Sequence, residues 1–156
     1  MTDSTKYWED IEIGTVTQLG KVTMTKDEII DFARRFDPQP FHIDEDAARK
    51  SMFGGLIASG WHTCAAVMRL MVDAIISQSP AASLGSPGVD EIRWLKPVYA
   101  GDTITGRITV VDKKASKSRP EMGSVFNHNE IFNQKGELVM TTKGIGLYRR
   151  RPAGAR

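Results

Sequence analysis

Cysteine is almost missing from this chain. One residue, Cys64, in 156 leaves no partner for an internal disulfide, a usage that fits a reducing compartment and places the expected location in the cytoplasm. There is no Gly-x-Gly-x-x-Gly and no P-loop, so nucleotide cofactors for redox or phosphoryl-transfer chemistry are not indicated. No apolar run follows the polar residues 1–5, which argues against a secretory signal. The longest apolar stretch, 61–78, is broken by His62, Arg69 and Asp73 and is too polar to cross a membrane. A basic face is missing as well. The 21 Lys and Arg against 19 Asp and Glu give +2, but Arg149, Arg150, Arg151 and Arg156 all fall in the last eight residues, and without them the charge is −2. The basicity therefore belongs to a tail, 149–156, expected to be disordered, and no nucleic-acid partner is expected.

What is present is the composition of an ordinary globular protein, 40% hydrophobic and 26% charged, with enough residues for one core. A single domain over 1–148 is expected. The Thr/Val-rich stretch 16–24 reads as a strand. Thr25 and Glu28 are the residue types of a capping box, and Ile29, Phe32, Ala33 and Phe36 then recur on one face of a helix that Pro38 ends. Asp44 is suited to cap a short helix reaching about Lys50. The stretch from Trp61 to about Gln78 reads as a long helix, apolar nearly all round and so buried nearly all round. Strands follow at 89–95, 102–111, 123–132 and 138–149, with a hairpin turn at 133–137. One long buried helix and successive strands, read as an antiparallel meander, make an α+β fold.

The segment 36–44, Phe-Asp-Pro-Gln-Pro-Phe-His-Ile-Asp, sets a carboxylate and an imidazole five positions apart. Pro38 and Pro40 fix their own φ and Pro38 biases Asp37 away from the α region, so Asp37 and His42 have the character of an acid/base pair held at a set separation. A hard-metal site at His42, Asp44 and Asp46 is not expected, since Asp44 is needed as a cap and no second ligand cluster exists. Ser59 is not in a nucleophile elbow, because Ile57 and Trp61 stand where glycines would be needed, and it reads as the cap of the long helix. The run Lys113-Lys114-Ala115-Ser116-Lys117-Ser118-Arg119 reads as a solvated hairpin, with a phosphate-binding edge as the functional alternative.

The motif Asp-x-x-Pro-x-His-x-Asp at 37–44, Phe-Gly at 53–54, Ile-Ala-x-Gly at 57–60 and Leu-Lys-Pro-Val-Tyr-Ala-Gly-Asp at 95–102 resembles the MaoC-like dehydratases, the hot-dog-fold family of (R)-specific enoyl-CoA hydratases. The likeness runs from about Lys26 to about Tyr148. It implies a single hot-dog domain in which an antiparallel sheet wraps a long central helix. It further implies a lyase that adds water reversibly to a trans-2-enoyl-CoA, giving an (R)-3-hydroxyacyl-CoA without metal or organic cofactor. By the same resemblance Asp37 and His42 are the catalytic pair. The amide of Gly60, eighteen positions beyond His42, polarises the thioester carbonyl. Gln39, Pro40, Phe41, Ser59 and Trp61 fall on the substrate-binding surface. The chain has Gln39 where the family usually has Asn and Ser59 where it commonly has His, departures that bear on substrate choice. A homodimer or higher homo-oligomer is implied, as is expected of an exposed sheet edge. Two other readings share the fold: an acyl-CoA thioesterase, and an acyl-CoA-binding subunit without turnover.

Overall fold

The computed structural model describes residues 5–154. A 3₁₀ turn, Trp8–Asp10, leads into strands β1 (Val16–Gln18) and β2 (Val22–Thr23) and helix α1 (Lys26–Phe36). Two short helices, α2 (Pro40–Ile43) and α3 (Glu45–Lys50), precede the long helix α4 (Gly60–Ala74). Two further 3₁₀ turns, Ile76–Gln78 and Pro80–Ala82, lead to β3 (Gly88–Trp94), β4 (Thr103–Ala115), β5 (Met122–Phe132) and β6 (Leu138–Arg149).

Local chemistry explains many of these boundaries. Thr25 accepts from Glu28 N–H to start α1, and Asp44 accepts from the N–H groups of Asp46 and Ala47 to start α3. In the β5–β6 hairpin Asn133 Oδ1 accepts from Lys135 and Glu137 N–H, and Gly136 takes φ +74°, a conformation costly for other residues. The strand expected over 16–24 is interrupted: at the gap Leu19 N–H donates to Gly106 O and Thr105 Oγ1–H to Leu19 O, and β1 and β2 pair separately with β4.

The sheet is antiparallel with order β1-β4-β5-β6-β3, and β2 also pairs with β4. Only β4, β5 and β6 form the expected meander. β3 lies beside β6 because the 95–102 segment leaves the sheet, bonding back through Ala58 N–H to Val98 O and Ala100 N–H to Leu56 O. The sheet's inner face and α4 bury Ile104, Ile108, Ile131, Val67 and Leu70, with Met24 and Ile29 closing one end. The regular α4 stops at Ala74, short of the expected end. It is buried on its sheet side and, at His62, under the stacked Phe32 ring of α1, while Trp61 and Met68 stay exposed. Phe36, expected in the α1 core face, is also exposed and rests its ring on Phe32.

The tail expected to be disordered is ordered in part. Arg149 completes β6, Arg150 Nε donates to Glu9 Oε1 at 2.9 Å, Arg151 N–H to Glu9 Oε2 at 2.9 Å, and Arg151 pairs with Asp10. Acidic residues near the start of the fold thus neutralise the arginines at its far end. Residues 155–156, and Arg156 among them, lie outside the described residues. Among those described, no helix is long and apolar enough to cross a membrane.

Candidate active site

Asp37 is the C-cap of α1, where Pro38 stops the helix, and its backbone (φ −152°, ψ 65°) turns the chain toward α2. Pro40 is the first residue of α2, a position that needs no N–H, and two residues later the helix delivers His42. The two side chains meet with His42 Nε2 3.3 Å from Asp37 Oδ2. His42 is 4% exposed and its other nitrogen, Nδ1, lies 2.7 Å from the carbonyl oxygen of Ile57. A carbonyl only accepts, so Nδ1 carries a proton and Nε2 is the nitrogen left to face the carboxylate. Phe41 sets its ring edge-on to His42 and to Phe53, packing the imidazole from one side.

Asp37 receives two further donors. Ser59 Oγ–H donates to Oδ2 at 2.7 Å and Gln39 Nε2–H to Oδ1 at 2.7 Å. Burial by itself would raise the carboxyl pKa. The hydrogen bonds from Ser59 and Gln39, and then the nearby His42, outweigh it and hold the group below the ordinary aspartate value. Ser59, fully buried, therefore does not cap α4 as its position suggested: it makes no cap hydrogen bond, because its hydroxyl is committed to Asp37.

Gly60 is the first residue of α4. Helical N–H groups of a first turn have no partner within the helix and lie at its positive end, so they are donors available to an oxyanion. The space above Gly60 Cα is filled by Trp94, whose Nε1–H donates to Gly60 O at 3.1 Å; a Cβ there would overlap the indole. Glycine at 60 thus admits a tryptophan. Trp61 packs edge-to-face on Trp94, with ring centroids 5.3 Å apart, and is largely exposed. Pro40 and Gln39 are exposed at the mouth of the same site.

The structure thus gathers Asp37, His42, Gln39 and Ser59 into one hydrogen-bonded group, with Phe41 behind it and Gly60, Trp61 and Trp94 next to Ser59. It separates the residues weighed as a metal site, since Asp44 caps α3 and Asp46 pairs with Arg49 while His42 turns to Asp37. The basic run at 113–119 lies about 30 Å along β4 from Thr103 at the usual rise per residue, at the far end of the sheet from this group within one chain. Sequence reasoning missed the Ile57 carbonyl, the Ser59–Asp37 bond and the indole over Gly60. All three depend on contacts between distant segments and leave no local signal.

A carboxylate and an imidazole in contact are a pair chemically able to pass protons. Comparison with known proteins shows what the whole chain is similar to. The model of the MaoC like domain matches residues 11–130. The crystal structure of the MaoC-like dehydratase from Rhodospirillum rubrum superposes with a TM-score of 0.85 at 39% identity, over 94% of this chain and 99% of that one. The uncharacterized protein YdeM of Bacillus subtilis is 30% identical over 141 residues, 86% of this chain and 97% of its own. The (R)-specific enoyl-CoA hydratase of Rhodospirillum rubrum is 29% identical over 108 residues, 67% of this chain and 69% of its own.

Proposed function

This chain belongs to the MaoC-like domain family and has its hot-dog fold, and from that premise we propose that it is a hydro-lyase acting on a trans-2-enoyl-CoA, with Asp37 and His42 as the proton-transfer pair. One observation carries the reading: the 3.3 Å approach of His42 Nε2 to Asp37 Oδ2, with Nδ1 tied to Ile57 O. Hydration forms a C3–O bond from water and a C2–H bond, and the pair takes one proton from water and returns one to C2. Over a turnover its own proton count does not change. Between those events negative charge collects on the thioester oxygen, where the N–H of Gly60 is the donor assigned to it. Reading the reverse way, the same groups expel water from an (R)-3-hydroxyacyl-CoA.

The acyl chain is assigned to the space between α4 and the sheet, which starts at Cys64, one helical turn beyond Gly60. The acting unit is assigned as a homodimer. The free edge of β3, together with exposed Trp61 and Met68 on α4 and Val89 and Leu95 at either end of that strand, is an apolar surface for a second copy.

The test is a continuous assay of purified protein with crotonyl-CoA and trans-2-octenoyl-CoA, following loss of the conjugated thioester absorbance while a thiol reagent monitors free CoA. Absorbance loss without thiol, reduced about 10²–10⁴-fold in Asp37→Asn and in His42→Ala, is the expected result. Thiol release at constant absorbance would make the protein a thioesterase, and enoyl-CoA binding without either change would make it a silent subunit.

A further inference from the structure

Where β5 and β6 pass beneath α4, the sheet's inner face stops being apolar. Asn129 pairs with Thr142 and Asn127 with Gly144, positions that elsewhere on these strands hold Ile131, Met140 and Val125. Gly144 and Gly146 present no side chain to the helix, and a cavity of about 340 Å³ occupies the space, walled on the other side by Cys64, Met68 and Met71. Among the described residues no charged side chain lines it. The arginines nearest in sequence are engaged at the surface, Arg69 with Asp73 and Arg93 with Glu91. A carboxylated acyl tail would have no counter-charge there.

Asn129 is the unexplained residue of this wall. It is 3% exposed, its Nδ2–H donates to Thr142 Oγ1 at 2.9 Å, and its Oδ1 has no partner among the described residues. Turning the amide over exchanges the two atoms and still leaves one of them unpaired. A polar atom so buried and unmatched carries its full desolvation penalty, unless a ligand answers it. Resting on the hydratase reading above, we infer that the acyl chain is uncharged and carries a hydroxyl that bonds Asn129 deep in this cavity. A hydroxyl both donates and accepts, so it satisfies either setting of the amide, which a ketone or an ether cannot do. Its place on the chain follows from the register. Asn129 pairs with Thr142 and Thr142 with Ile92, while Trp94, which covers Gly60, is two residues further along β3. Two strand spacings across and two residues along put Asn129 about 12 Å from the Trp94 position, so the hydroxyl belongs toward the far end of a medium-length chain.

The experiment compares trans-2-hexenoyl-, octenoyl- and decenoyl-CoA with their ω-hydroxy counterparts. The expected result is a higher kcat/KM for the hydroxylated member at one of the two longer lengths, by about two- to twelvefold, the range of one net hydrogen bond. In Asn129→Leu that ratio falls to one or below. Gly144→Ala is the second variant, in case the first does not fold. Its added methyl would sit 3.6 Å from Asn129 Nδ2 and crowd the approach of the hydroxyl, lowering the ratio as well. A wild-type ratio of one or less at every length overturns the inference while the plain chains, still hydrated, uphold the hydratase reading. A ratio that survives both substitutions overturns it too, as does a preference for ω-carboxylated chains. If none of the thioesters is hydrated, the hydratase reading fails and this inference fails with it.

Discussion

The substitution Ser59→Ala separates a hydroxyl that tunes Asp37 from one that only fills space. Ser59 Oγ–H donates to Asp37 Oδ2 at 2.7 Å, and the carboxyl is 20% exposed, so the bond is charge-assisted and mostly shielded. A hydrogen bond to a charged group is worth about 1.5–3 kcal/mol, and each pKa unit corresponds to about 1.4 kcal/mol. At the lower end, suited to a group with some solvent contact, losing it raises the Asp37 pKa by about one unit. The sign follows from the wild-type state, in which Asp37 sits below its ordinary value. Such a carboxylate contributes stability that is present above its unfolded pKa and is lost as pH falls through the folded one. Ser59→Ala should therefore cost about 1.5 kcal/mol near pH 7, and the cost should shrink toward zero below the folded pKa. In the enoyl-CoA assay the acidic limb of kcat/KM should move to higher pH by about one unit, with a smaller loss on the plateau. Chemical denaturation at several pH values and the pH–rate profile read the two effects. If the acidic limb stays in place while kcat/KM falls by the same factor at every pH, Ser59 is packing and the argument fails.

Gly60→Ala places a methyl inside the Trp94 indole. Indole fluorescence should shift, thermal stability should fall by the equivalent of about 1–3 kcal/mol, and hydration should lose about 10²-fold as the retained amide is displaced; unchanged fluorescence would contradict the packing described. Ile131→Ala, at a core position with no exposure and no part in the site, should cost about 2–5 kcal/mol in denaturant titration, and its surviving folded fraction should keep its KM. Val89→Lys puts a charge on the β3 edge, where Val89 is 52% exposed, and light scattering should then report one-chain mass where the wild type gives two; an unchanged mass would move the interface elsewhere.

The legible parts of this fold are those set within a few residues. Thr25, Pro38 and Asp44 act on their own neighbours, and the Asn133–Gly136 turn is closed by its own side chain. Strand order escaped the pattern because alternation says which residues face inward but not which strand lies alongside, and β3 reaches β6 only through a crossing segment held by Ala58 and Val98. The helix α4 misled for a related reason: an apolar residue on a helix is not thereby a buried one, and Trp61 and Met68 stay exposed. In the site, Asp37 and His42 were visible through their spacing and the two prolines. Ser59 was visible only as a residue in front of a helix, and the choice between capping α4 and holding Asp37 is made by a carboxylate 22 residues away.

Arg150 and Arg151, tied to Glu9 and Asp10, bring the first turn of the fold alongside the end of its last strand. Two places 141 residues apart in order are neighbours in space. A short peptide joining the region after Arg151 to the region before Glu9 would bridge little distance, and the chain could then be opened at the exposed tip, 134–136, of the β5–β6 hairpin. In such a circular permutant Asp37, His42, Ser59 and Gly60 would still lie on one uninterrupted stretch. The order of the remaining strands along the chain is thus a matter of history that the site itself does not require.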